Sequence, residues 1–145
     1  DFFPEYPNTV EGLKKFISQL KIPHKYERGV FDCSEISAFV EWALEDAGFK
    51  AYIALGKRIH NDGREGDHAW VVVNLGNHKY YVDFFTDSKL NCHLAVLNPN
   101  NQNNKYKLIE TFKNIYEVLD VYNSVDEWDW WNIIGFPPRS SIFKS

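Results

Sequence analysis

The sequence predicts an α+β domain in which helices pack on a mainly antiparallel sheet. Two observations lead to this class. Apolar residues recur at helical spacing in two stretches of the first third of the chain, and two β-rich runs in the middle flank Gly76-Asn77, a strong hairpin signal. At 145 residues with 44% apolar content, the chain suits one globular domain spanning residues 1–145.

A first helix is predicted over residues 9–20. Asn8 and Glu11 form a capping pair at its start, and Ile22-Pro23 closes it. Its apolar residues share one stripe that faces the core: Val10, Leu13, Phe16, Ile17 and Leu20.

A second helix is predicted to begin at Asp32. Asp32 has the character of an N-cap, Glu35 completes a capping box, and Gly48 supplies the C-terminal stop. The apolar positions between them have helical spacing: Ile36, Phe39, Val40, Ala43, Leu44 and Ala47. Cys33 then lies in the first turn, where unpaired backbone N–H groups and the helix dipole favour a thiolate.

The middle of the chain is predicted to form strands. Residues 50–55 form a short strand, residues 56–66 a polar loop, and residues 68–75 and 78–85 a hairpin. With a two-residue turn, Trp70 faces Asp83 and His68 faces Phe85, so that His68 and Asp83 are diagonal neighbours on one face. Such diagonals lie about 7–8 Å apart at Cα. A three-residue loop would place the two side chains on opposite faces.

The last third of the chain is predicted to mix strands and helices. Residues 94–97 and 105–112 form strands, joined by an Asn-rich loop. Residues 115–122 fit either a helix or a strand, and a shared apolar face favours the helix. Ser124 and Glu127 form a capping box that opens a short aromatic helix ending near Gly135.

Three side chains suggest nucleophilic catalysis. Cys33, His68 and Asp83 are the groups that a thiol acyl-transfer enzyme needs, because an imidazole activates the thiol and a carboxylate orients the imidazole. Each also has an ordinary interpretation. Cys33 could be an inert small apolar residue, His68 could be satisfied by backbone, and Asp83 could point to water. Asp83 favours the catalytic alternative, since a carboxylate in an apolar strand is costly without a partner.

At these residues the chain resembles the transglutaminase-like superfamily, part of the wider papain-like group. The likeness covers roughly residues 30–86: a Cys at a helix start, the run Ala-Gly-Phe-Lys-Ala-Tyr-Ile, His-Ala-Trp on one strand and Val-Asp on the next. It implies Cys33 as nucleophile, His68 as general base and acid, and Asp83 as the orienting group. The family includes proteases, isopeptidases, amide-forming acyltransferases and members without known activity. The resemblance therefore implies a mechanism, and we expect peptide or isopeptide hydrolysis of a peptide or protein substrate.

Two further likenesses concern shorter segments. The Asp-Cys-Ser string is similar to that of NlpC/P60 cell-wall peptidases, although their pattern has Gly after Ser, where this chain has Glu35. The Gly-Val-Phe-Asp-Cys-Ser-Glu run and the tail Trp-Trp-Asn-Ile-Ile-Gly-Phe-Pro-Pro resemble uncharacterised archaeal extracytoplasmic proteins of the transglutaminase-like superfamily.

Composition bears on the class of binding partner and on the cellular location. A formal net charge of −4 without a basic cluster argues against nucleic acid or an anionic membrane surface as the main partner. No apolar run is long enough to span a membrane. The sequence starts at Asp1 and has no Met, so we expect a processed or excised segment. An extracytoplasmic or cell-surface location is predicted, with the cytoplasm as the alternative.

Four tryptophans are candidate substrate-binding residues. Trp128, Trp130 and Trp131 form either core packing or a surface for a peptide, glycan or partner. Trp70 is either a wall that keeps water from the predicted His-Asp pair or simple core.

The cysteines also permit structural alternatives. Cys33 and Cys92 could form one disulfide, which would exclude a catalytic Cys33. His93 follows Cys92, but the spacing does not match a zinc site. Acidic residues after Ser124 are favoured by the dipole of their own helix rather than by calcium. No metal or cofactor is predicted. The oligomeric state stays open.

The sequence suggests one of the two hydrogen-bond donors that an oxyanion hole needs. The backbone N–H of Cys33 is one natural donor, and His24 and Tyr26 are upstream candidates for the second. Two non-catalytic alternatives stay open: a peptide- or protein-binding module that keeps the architecture of the triad, and a disulfide-stapled structural domain of a surface protein.

Overall fold

The computed structural model describes residues 6–102, 105–122, 128 and 130–133. The elements follow one another as α1 (Val10–Gln19), α2 (Cys33–Asp46), β1 (Lys50–Ile59), β2 (Glu65–Leu75), β3 (His78–Thr86), β4 (Cys92–Leu97), a 3-10 turn (Pro99–Asn101), β5 (Tyr106–Phe112), α3 (Ile115–Tyr122) and α4 (Trp130–Ile133). The α+β class is confirmed.

The five strands form one sheet in the order β4-β3-β2-β1-β5, and all neighbours are antiparallel. α2 packs across β1 and β2, and α1 contacts β4. The main core lies between these helices and the sheet. Its largest fully buried side chains include Phe16, Phe31, Phe39, Leu13, Ile36 and Ile53. The opposite face of the sheet carries a smaller cluster around Trp70 and Tyr81.

The hairpin register agrees with the predicted two-residue turn. Gly76 adopts φ +66°, Leu75 pairs with His78, and the ladder between β2 and β3 runs to Val71 opposite Val82. A positive φ is the conformation that glycine allows at little cost. The turn therefore sets which residues share a face, as the sequence indicated.

The predicted pairings of Trp70 with Asp83 and of His68 with Phe85 are absent from the ladder that the structure describes between β2 and β3. On their other edges the strands remain paired, Asp83 with Ala95 on β4 and His68 with Gly56 on β1. Side chains still alternate between the two faces of the sheet along each strand, whether or not these two pairs are hydrogen-bonded. His68 and Asp83 therefore still lie on one face.

The predicted loop over residues 56–66 is wrong at both ends. β1 continues through Gly56 to Ile59, and β2 begins at Glu65. Gly56 lies where the pairing of β1 with β5 shifts register. A Cβ at this position would lie 2.0 Å from the Lys107 carbonyl oxygen and 3.0 Å from Trp70 Cη2. Gly56 therefore permits a close approach of β5 rather than ending the strand.

Replacing Gly56 with Ala is expected to destabilise the fold by about 1–3 kcal/mol or more, because the added methyl group meets backbone that cannot move freely. Gly66→Ala is the matched control, since the nearest atom to its Cβ lies 3.8 Å away, at the end of the His60 side chain. Urea unfolding of both variants measures the difference. Equal midpoints for the two variants would contradict this role of Gly56.

The helix ends differ slightly from the prediction. Thr9, not Asn8, is the N-cap of α1, and its hydroxyl accepts from the Gly12 N–H at 3.1 Å. α3 is a helix, with Ile115 and Val118 buried. The predicted capping box at Ser124 lies outside the described residues. Within the described residues, the helices are all too short or too polar to cross a membrane.

Candidate active site

Cys33 is the first residue of α2 and is half-buried. The capping box predicted around it is present: Asp32 Oδ1 accepts from the Ser34 N–H at 3.3 Å, and Glu35 Oε1 accepts from the Asp32 N–H at 2.9 Å. The cap fixes the first turn of α2, which carries Cys33 together with unpaired N–H groups and the positive end of the helix dipole.

Glu35 has a second property that the sequence did not reveal. It is 1% exposed, and burial, together with its hydrogen bond to Asp32, raises its pKa to about 8. At neutral pH Glu35 is therefore largely uncharged. The capping box does not place a second full negative charge close to Cys33.

His68 and Asp83 are joined directly. His68 Nε2 lies 2.9 Å from Oδ1 and 3.0 Å from Oδ2 of Asp83. Both side chains are largely buried, at 9% and 3% exposed. Because a carboxylate only accepts, Nε2 carries the hydrogen and donates to Asp83. Nδ1 is then the ring nitrogen that is left to interact with a thiol.

Asp83 has three further partners. The Tyr106 hydroxyl donates to Oδ2 at 2.6 Å, the Phe84 N–H donates to Oδ1 at 2.8 Å, and Arg58 Nη1 lies 3.7 Å from Oδ2. Sequence reasoning missed Tyr106 and Arg58. Arg58 fell in the predicted loop, although Lys-Arg-Ile after Gly56 continues the alternation of β1. No local signal marks Tyr106, because its position depends on β5 pairing with β1.

His68 and Asp83 each stabilise the charged form of the other. Burial raises the pKa of Asp83, but His68 and the Tyr106 hydroxyl hold it below its usual range. Burial lowers the pKa of His68, but interactions with the Asp83 and Cys33 side chains raise it to about 9. Near neutral pH the site therefore holds an imidazolium beside a carboxylate.

Cys33 and His68 line one cavity of about 420 Å³. Its other lining residues include apolar and acidic side chains: Ile109, Tyr122, Trp128, Asp67 and Glu110. Since Cys33 comes from α2 and His68 from β2, the cavity lies where the start of the helix meets the sheet. The thiol, the imidazole and room for a substrate are therefore in one place.

The four candidate tryptophans have different positions. Trp128 lines the cavity of Cys33 and is 4% exposed. Trp70 is 1% exposed and stacks on His68 with ring centroids 5.9 Å apart, which is the position of a wall behind the imidazole. Trp130 is also 1% exposed, and Trp130 and Trp131 line a separate cavity. Trp128 is thus the candidate placed to contact a substrate.

Cys92 is separate from this cavity. Cys33 and Cys92 are both free thiols, as the catalytic interpretation requires. Burial raises the pKa of Cys92 to about 11, and Cys92 lines another cavity together with His24. The two cysteines therefore have different surroundings, and a disulfide-stapled domain receives no support.

The two candidates for the second oxyanion donor also differ. His24 Nδ1 lies 2.6 Å from the Lys25 carbonyl oxygen. Tyr26 stacks on Phe84 at 5.8 Å. Burial raises the pKa of Tyr26, and the nearby Asp32 carboxyl adds to this effect. The choice between the two candidates for the second donor stays open.

Among the residues that the structure describes, no group of three or more His, Cys, Asp or Glu side chains could hold a metal ion. The acidic residues Asp126, Glu127 and Asp129 lie outside this part of the chain.

The comparisons with known proteins give one distant similarity. No family model matches the chain, and no solved structure matches it. The chain is similar to an uncharacterised protein of Methanocaldococcus jannaschii, with 28% identity over 158 aligned positions, covering 98% of this chain and 64% of that protein. The chain thus spans a little under two thirds of the length of that relative. Since this similarity assigns no activity, the function is inferred from the geometry of the site.

Proposed function

We propose that this domain performs thiol-dependent amide acyl transfer, hydrolysing peptide or isopeptide bonds through Cys33, His68 and Asp83, on a papain-like, transglutaminase-like fold. One observation carries the proposal. His68 Nε2 donates a hydrogen bond to the buried Asp83 carboxylate, and His68 lines the same cavity as Cys33, the first residue of α2. A histidine needed only for packing would not require a buried carboxylate with three further partners.

In the first step, the Cys33 thiolate attacks the carbonyl carbon of the substrate, and the C=O electron pair moves to oxygen. The Cys33 N–H lies in the first helical turn and is one donor to this oxyanion. When the intermediate collapses, the C–N bond breaks and His68 gives its Nδ1 proton to the leaving nitrogen. The products of this step are an amine and a thioester on Cys33.

In the second step, neutral His68 takes a proton from water, and the resulting hydroxide attacks the thioester carbon. The C–S bond breaks, the carboxylic acid leaves, and the thiolate and imidazolium are restored. Asp83 keeps the imidazole oriented through Nε2 in both steps and stabilises its positive charge. An amine in place of water would give a new amide by the same route.

The surroundings of the cavity suit a peptide or protein substrate. Trp128 and Ile109 offer apolar contact, while Asp67, which is paired with Lys57, and Glu110 add carboxyl groups to the lining. This lining does not favour a polyanion such as nucleic acid.

Acylation by p-nitrophenyl acetate tests the proposal without knowledge of the natural substrate. We expect one acetyl group on Cys33 in the intact mass spectrum and its loss by hydrolysis when the ester is exhausted. Cys33→Ala should abolish both, whereas Cys92→Ala should leave both unchanged. Absence of acylation at Cys33 in the folded protein would favour the non-catalytic binding module.

A further inference from the structure

β5 contains a β-bulge at the candidate active site. Leu55 of β1 pairs with Glu110, whereas the next residue of β1, Gly56, pairs with Leu108. In this ladder no residue of β1 lies opposite Ile109, which is therefore the extra residue of the bulge. Bulges are common next to active sites, where the extra residue changes the direction of a side chain.

The bulge changes which side chains of β5 lie together. Consecutive residues of a regular strand point to opposite faces of the sheet. Ile109 and Glu110 are consecutive, yet both line the cavity of Cys33. Leu108 lines a different cavity, together with Val72 of the smaller cluster on the other face of the sheet. The extra residue thus allows the Ile109 side chain to line the candidate active site.

Ile109 is an exposed apolar side chain in this lining. It is 66% exposed, whereas the other apolar lining residues Leu55, Ala69 and Trp128 are buried or half-buried. Covering apolar surface stabilises a complex roughly in proportion to the area that is removed from water. Compared with these three residues, Ile109 therefore has more surface to bury when a substrate binds.

The acyl group is the part of a substrate that stays in this cavity during the proposed reaction. The amine leaves in the first step, whereas the acyl group remains bonded to the Cys33 sulfur as a thioester until water attacks it. A side chain in the lining around Cys33 can therefore contact the acyl group in both steps.

We infer that Ile109 selects acyl donors that carry an apolar side chain on the residue supplying the scissile carbonyl. This role rests on the proposed function and adds its substrate class: peptides cleaved after leucine or another aliphatic residue rather than after glycine. Apolar contact with Ile109, continued by Leu55 and Trp128, provides the selectivity.

Two esters with the same leaving group test this role: the p-nitrophenyl esters of N-acetylleucine and N-acetylglycine. Release of p-nitrophenol gives kcat/KM for each ester. In Ile109→Ala, the ratio of the leucine value to the glycine value should fall at least about fivefold, mainly through a higher KM for the leucine ester, because the lost carbons no longer cover apolar surface. Ile109→Val, which keeps most of these carbons, should give an intermediate ratio. The intrinsic reactivities of the two esters cancel when the ratios of two proteins are compared.

Leu108→Ala is the matched control. Leu108 is the preceding residue of β5, is also exposed, and lies outside the lining of the cavity around Cys33. Its replacement should keep the wild-type ratio. An unchanged ratio in Ile109→Ala, including an equal fall of both kcat/KM values, would mean that the bulge only shapes the strand, and would overturn the role of Ile109 while leaving the proposed function in place. If neither ester acylates Cys33 in the wild-type protein, the proposed function and this role both fail.

Discussion

His68→Ala is expected to reduce acylation and deacylation of Cys33 by at least about a thousandfold, because it removes both the proton acceptor and the proton donor of the reaction. His68 is the one side chain in the described part of the chain that bonds Asp83 through a ring nitrogen and interacts with the thiol. The rates are measured as p-nitrophenol release and as decay of the acetyl-enzyme.

The control for this substitution is His78→Ala. His78 is an exposed histidine at the start of β3, next to the hairpin turn and away from the cavity. Its removal should leave both rates within about twofold of the wild-type rates. If His68→Ala retained more than a tenth of the wild-type rate while folded, the imidazole would not be the general base.

Asp83→Ala is expected to destabilise the protein by about 3–5 kcal/mol, since it leaves a buried imidazolium and the Tyr106 hydroxyl without their acceptor. Asp83→Asn should cost less stability, because an amide oxygen can still accept from Tyr106. It should nevertheless slow acylation, since the amide no longer holds the imidazole in the required tautomer. Urea unfolding near pH 7 gives the free energies.

Asp120→Ala is the surface control for this comparison. Asp120 is exposed on α3, and its replacement should change the stability by less than about 0.5 kcal/mol. Tyr106→Phe should cost about 1.5–3 kcal/mol, the contribution of one hydrogen bond to a charged group. A loss below 1 kcal/mol for Asp83→Ala would mean that Asp83 and His68 do not form a buried pair in solution.

The local features of the site could be read from the sequence because each depends on a short segment. The capping box around Cys33 depends on residues three positions apart, and the Gly76-Asn77 turn sets the face shared by His68 and Asp83. These short-range patterns predicted the helix start and the hairpin register.

The remaining features depend on contacts between distant segments. β5 lies beside β1, so Tyr106 approaches Asp83 across 23 residues of sequence. Gly56 was interpreted as the end of a strand because a glycine in a strand pattern is ambiguous until the neighbouring backbone is known.

The pH dependence of Cys33 alkylation tests the thiolate–imidazolium pair most directly. With iodoacetamide, Cys33 should react at mildly acidic pH, where Cys92, with its pKa raised to about 11, stays unreactive. His68→Ala should remove the acidic part of the Cys33 profile, and Asp83→Asn should weaken it in the same direction. The opposite result, in which both cysteines react only at alkaline pH and His68→Ala changes neither profile, would contradict the proposed activation of Cys33.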